Sequence, residues 1–144
     1  MKCIECGLDM EAIREDRELN LGLPYPVVLR DAPVYHCSCG ERYEGMDGAI
    51  PTMKALAKWV AQRPGRLHAS EVRFLRNAMN WSQEQLGRRL GVAIETISRW
   101  ENGKKPVGYQ SELALRFFVL AGDAVAEKLD EQGELPTGIS LDEN

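Results

Sequence analysis

The chain has 144 residues, with 18 Lys and Arg against 22 Asp and Glu, a formal net charge of −4 and a sequence pI near 5.3. Its mean hydropathy of −0.35 and the lack of any apolar run near spanning length argue against a membrane protein, and with no long apolar stretch after Met-Lys-Cys-Ile a secretory leader is not expected. The overall charge conceals a split: residues 1–48 carry five basic and ten acidic groups (net −5), residues 49–116 twelve and five (net +7), and residues 117–144 one and seven (net −6).

A basic middle suits contact with phosphates, and an acidic first segment suits a basic partner. The length fits two small units, each below the size that easily supports its own core.

Cys3 and Cys6 form a Cys-x-x-Cys pair, and Cys37 and Cys39 a Cys-x-Cys pair followed by Gly40; these four are all the cysteines of the chain. The expected setting is cytoplasmic, where thiols stay reduced and clustered cysteines hold metal more often than disulfides. Zinc is the expected ion, because four thiolates close a tetrahedral shell around it without redox chemistry. Between the pairs, Pro26-Val27-Val28-Leu29 and Pro33-Val34-Tyr35-His36 are strand-like, as in a zinc ribbon. His36 stands three residues before Cys39, so two shells remain open: Cys3, Cys6, Cys37 and Cys39, which is preferred, or the same set with His36 in place of Cys37.

Ile50 to Arg63 reads as a helix with Met53, Leu56, Ala57 and Val60 on one side, and Arg63-Pro64-Gly65-Arg66 breaks it and reads as linker. His68 reads as a surface residue. Ser70 is placed to cap a helix whose stripe is Val72, Leu75 and Met79, with Arg73 and Arg76 on the other side.

Ser82 and Gln85 form a capping box for the next helix, where Leu86 and Leu90 share a face and Gly91 offers the positive φ that ends it. A further helix places Ile94, Ile97 and Trp100 inward and Glu95, Thr96, Ser98 and Arg99 outward, and Gly103 and Pro106 stop it. Trp100 is expected in the core, with Glu101 holding helix ends by hydrogen bonds. Leu113 to Ala121 is apolar almost all round, so it is expected to be buried on several sides, in the core and a dimer interface. The acidic stretch from Asp130 onward reads as a flexible tail.

The fold class that follows is α+β. It comprises a zinc-binding domain at 1–48, a helix and linker at 49–68, an all-α DNA-binding domain at 69–129 and the tail at 130–144. No Ser-His-Asp set, phosphate loop or carboxylate pair stands out, so catalysis is not expected.

Leu75 through Pro106, with its Ser-Gln, Gly-Val and Thr-Ile-Ser-Arg-Trp-Glu-Asn-Gly-Lys elements in register, resembles the Xre/Cro-type helix-turn-helix. Ala93 stands where that family often has a Ser or Thr cap. The resemblance implies that the polar face of the later helix enters the major groove. Glu95, Thr96 and Arg99 would then read bases, while Gln83, Ser98, Lys104 and Lys105 anchor to the backbone. With the cysteine-bearing ribbon in front of it, the chain from about residue 1 to 120 resembles the MqsA/YgiT-type antitoxins of toxin-antitoxin pairs. That likeness implies a homodimer that binds a palindromic operator in double-stranded DNA, with the ribbon half neutralising a cognate toxin, often an RNA-cleaving enzyme. The alternative is a stand-alone repressor whose zinc ribbon is structural or senses metal.

Overall fold

The computed structural model describes residues 1–45 and 49–122, those at 49–52 through the backbone alone. The chain divides into two compact units, Met1–Leu56 and Ala57–Asn144. The expected α+β class holds, with an antiparallel three-stranded sheet followed by helices. The tail expected from Asp130 lies outside the described residues.

In the first unit β1 (Glu11–Leu19), β2 (Val27–His36) and β3 (Arg42–Glu44) form a sheet in the order β1-β2-β3. The two strand-like stretches of the sequence are one ten-residue strand, β2. Its partner β1, Glu-Ala-Ile-Arg-Glu-Asp-Arg-Glu-Leu, looks like a solvated charge run, yet it pairs with β2 from Glu11 to Leu19, and its charges meet opposite charges across the sheet. Arg17 pairs with Glu44 at 2.6 Å and Arg42 pairs with Glu15, both linking β1 to β3 across β2. A bulge breaks the register between Glu15 and Arg17. There the Asp16 carboxylate accepts from the Arg30 guanidinium (2.8 Å) and from the backbone N–H of Asp31 (3.0 Å), whose φ is +52°. Ala32 and Val34 are buried.

The boundary between the units falls within α1 (Ala49–Gln62). Then follow α2 (Ala69–Ala78), α3 (Gln83–Leu90), α4 (Ile94–Glu101) and α5 (Tyr109–Ala121). Val60, Val72, Leu75, Leu86, Ile97, Leu115 and Val119 make the core. Helix α2 is capped by His68 rather than Ser70, because Glu71 reaches back to the His68 N–H at 2.9 Å. The segment that ends α1 is fastened: Arg63 donates to Glu71 at 2.9 Å, Arg66 pairs with Glu112 at 3.0 Å, and Arg116 donates to the carbonyls of Ala61, Arg63 and Gly65.

One expectation about sides fails here. Arg76 does not lie on a solvated face but pairs with buried Glu101 at 2.6 Å. Helix α5 buries Leu115, Phe118 and Val119 but leaves Leu113, Phe117 and Leu120 exposed, because the core takes only one side of it. No helix among the described residues is long and apolar enough to cross a membrane.

Candidate metal centre and nucleic-acid interface

Each cysteine pair sits in a loop closed by its own backbone. Cys3 donates its N–H to the Leu8 carbonyl (2.8 Å) and accepts from Gly7 (2.9 Å); Cys37 donates to the Glu41 carbonyl (2.9 Å) and accepts from Gly40 (3.0 Å). The second loop is one residue shorter, and Gly40 takes the turn at φ +101°, which a side chain resists. Both loops deliver two sulfurs to one point. The four Sγ atoms all lie within 4.8 Å of one another, with Cys3 to Cys39 at 3.7 Å and Cys6 to Cys37 at 3.3 Å.

A disulfide would bring two sulfurs to about 2.0 Å. A tetrahedral ion with bonds of about 2.3 Å spaces them roughly 3.8 Å apart, which the cluster brackets. An all-thiolate donor set is soft, so the residues fit a zinc-type ion and not a hard cation.

His36 is not in this group. Tyr35 packs against the cluster of Cys3, Met10 and Cys37, and successive residues of an extended strand face opposite ways, so the strand that brings Tyr35 inward turns His36 away.

The thiols also compete for protons. The backbone N–H of Cys39, and then the Cys6 thiol, hold Cys37 down to about 7. For Cys39 the backbone N–H of Glu41 favours the thiolate, but the hydrogen bond with Cys37 and burial outweigh it and push the group up to about 12. Four crowded thiols cannot all ionise without a cation between them.

In the second unit the Ser82 capping box with Gln85 forms as expected, with Ser82 Oγ accepting from the Gln85 N–H at 3.0 Å and the Gln85 side chain accepting from the Ser82 N–H at 2.8 Å. Gly91 ends α3 at φ +69°. Helix α4 then starts at Ile94 after Ala93, which gives no side-chain cap.

Gln83, Ile94, Glu95, Ser98, Arg99, Asn102 and Lys104 line one depression on the surface between α3 and α4. Five of the seven residues expected at the interface are therefore brought together. Half-buried Thr96 and exposed Lys105 do not line it. Ile94 is a correction: expected inward, it is 44 % exposed, while Ile97 (0 %) and Trp100 (4 %) fill the inner side. It begins the first turn of α4, before the helix dips onto the core.

Glu101 is structural, as expected. Its buried carboxylate accepts from Arg76 of α2 at 2.6 Å and from the Gln83 amide of α3, fixing three helices at one point. Because a carboxylate only accepts, the Gln83 amide nitrogen faces inward and its carbonyl oxygen is the end presented outward.

Sequence reading missed Gly87 and Asn102. A Cβ on Gly87 would lie 2.8 Å from the Val92 carbonyl oxygen, so the tight approach of α4 to α3 requires glycine there. Asn102 donates to Ser98 Oγ at 3.3 Å and takes a long contact of 3.5 Å from Arg73.

Residues 72–109 match the helix-turn-helix family model. This segment is a helix-turn-helix domain. Its reach from Val72 to Tyr109 takes in most of α2 and all of α3 and α4, and the match supports a DNA-binding regulator. No curated protein matches the chain.

Proposed function

We propose that the chain is a dimeric, zinc-holding antitoxin that represses its own operon. The observation that carries the reading is the depression at α3 and α4, where an exposed guanidinium, a carboxylate, an amide carbonyl and a lysine are held by a rigid three-helix core. Arg99 meets guanine O6 and N7 with its planar fork, Glu95 accepts from an exocyclic amine, and Lys104 and Lys105 neutralise phosphates. Thr96 stands beside this face, and Ser98 anchors.

A second copy seated on the exposed α5 stripe of Leu113, Phe117 and Leu120 gives the two-fold needed for a palindrome. Zinc held by Cys3, Cys6, Cys37 and Cys39 supplies the folding energy that so small a sheet lacks.

Toxin neutralisation falls to the acidic unit. In residues 1–45 all five basic residues, Lys2, Arg14, Arg17, Arg30 and Arg42, are in ion pairs, so exposed Glu5, Glu11, Glu18 and Glu41 set the sign of that surface. Such a field suits a basic nuclease.

The test is co-expression of the chain with the product of an adjoining small gene. Rescue of growth by both the wild type and Arg99→Ala, with operon repression only by the wild type, is the expected result. Repression without any rescue would leave a stand-alone repressor.

A further inference from the structure

Helix α4 presents one apolar side chain on a face that is otherwise polar. Ile94, Glu95, Ser98, Arg99 and Asn102 follow each other at helical spacing along its outer side, and only Ile94 carries no polar atom in its side chain. Its exposure serves no packing need, since Ile97 and Trp100 already seal the helix to the core. Ile94 also lines a second depression, with Glu84, Gly87, Arg88, Gly91 and Val92. It therefore stands as the ridge between the depression that holds Arg99 and the one that holds Arg88. A β-branched side chain is stiff at χ1, so that ridge has a fixed shape. In the major groove the complementary apolar feature is the 5-methyl group of thymine.

We propose that Ile94 is a specificity-determining residue that selects thymine through its methyl group. The inference rests on the DNA-binding reading above. Five residues of helix separate Ile94 from Arg99, a rise of about 7.5 Å, or about two base-pair steps if the helix follows the groove. The selected thymine thus lies near the guanine met by Arg99, and each half-site contains one such position.

The experiment starts from a random duplex pool selected with the full-length chain. Each thymine of the enriched duplex is then replaced singly, in both half-sites, by deoxyuridine, which removes only the methyl group. Wild-type protein should lose about fourfold affinity per half-site at one thymine position and little at the others. Ile94→Ala should bind the thymine duplex about as weakly as the wild type binds the deoxyuridine duplex, and should be indifferent to the swap. Arg99→Ala should keep the full effect of the swap. No thymine whose methyl matters to the wild type, or an Ile94→Ala protein as sensitive as the wild type, overturns the proposal. A pool that enriches no sequence overturns the DNA reading itself and this inference with it, and that outcome is distinct because it appears before any methyl is removed. The methyl swap on wild-type protein needs no variant to fold, and Ile94→Val should retain most of the sensitivity.

Discussion

At the scale of single residues, the Arg76–Glu101–Gln83 contact shows how one buried carboxylate sets both stability and the shape of the interface. Glu101 is buried, and its charge is compensated by the guanidinium at 2.6 Å and the amide of Gln83. Removing the cation strands the carboxylate away from water, which typically costs about 3–5 kcal/mol. Arg76→Ala should therefore lower unfolding free energy by roughly that amount in urea titrations, far more than an exposed Arg73→Ala. The sequence reading has Glu101 holding helix ends by hydrogen bonds, which the contacts with Arg76 and Gln83 bear out. It did not show its partner, because periodicity put Arg76 on the polar side of α2, and a long side chain can reach back to the core from there. The same limit misplaced Ile94: spacing from Ile97 put it inward, whereas a residue in the first turn has no preceding turn beneath it.

Elements were legible wherever a local signal fixed them. Ser82 with Gln85, and Gly91 at φ +69°, mark the ends of α3 in the sequence and in the fold alike. Strand β1 was not legible, since its backbone partner β2 and the charges that meet its own lie far away in sequence. Gly87 was missed for a similar reason, because its role is the nearness of the Val92 carbonyl. Gly87→Ala should cost about 1–3 kcal/mol by overpacking, read as a lowered midpoint of thermal unfolding. The metal loops yield a pH prediction. Binding needs thiolates; Cys37 ionises near 7, whereas Cys39 holds its proton to about 12. Metal uptake at pH 8 should therefore release protons, since Cys6 is shifted upward like Cys39, and apparent zinc affinity should rise with pH and fall as pH drops through 7. Chelator competition at pH 6, 7 and 8 checks the sign; a flat profile would count against a thiolate shell.

For the whole molecule, charge is divided along the chain rather than by unit: residues 1–48 are net −5, residues 49–116, which hold α1 to α4 and most of α5, net +7, and residues 117–144 net −6. The proposed dimer is tested at the exposed α5 stripe: Phe117→Glu places a charge on the face assigned to a second copy. It should shift the protein from dimer to monomer in analytical ultracentrifugation, with little change in thermal stability. The central claim is that the outer face of α4 reads DNA sequence. Its most direct test is a gel-shift titration of wild type and Arg99→Ala against the selected duplex and a scrambled one. The wild type should favour the selected duplex at least about a thousandfold. Arg99→Ala should lose roughly 1–3 kcal/mol on that duplex and little on the scrambled one. Equal binding of the wild type to both duplexes, or equal losses for the variant, would contradict the account.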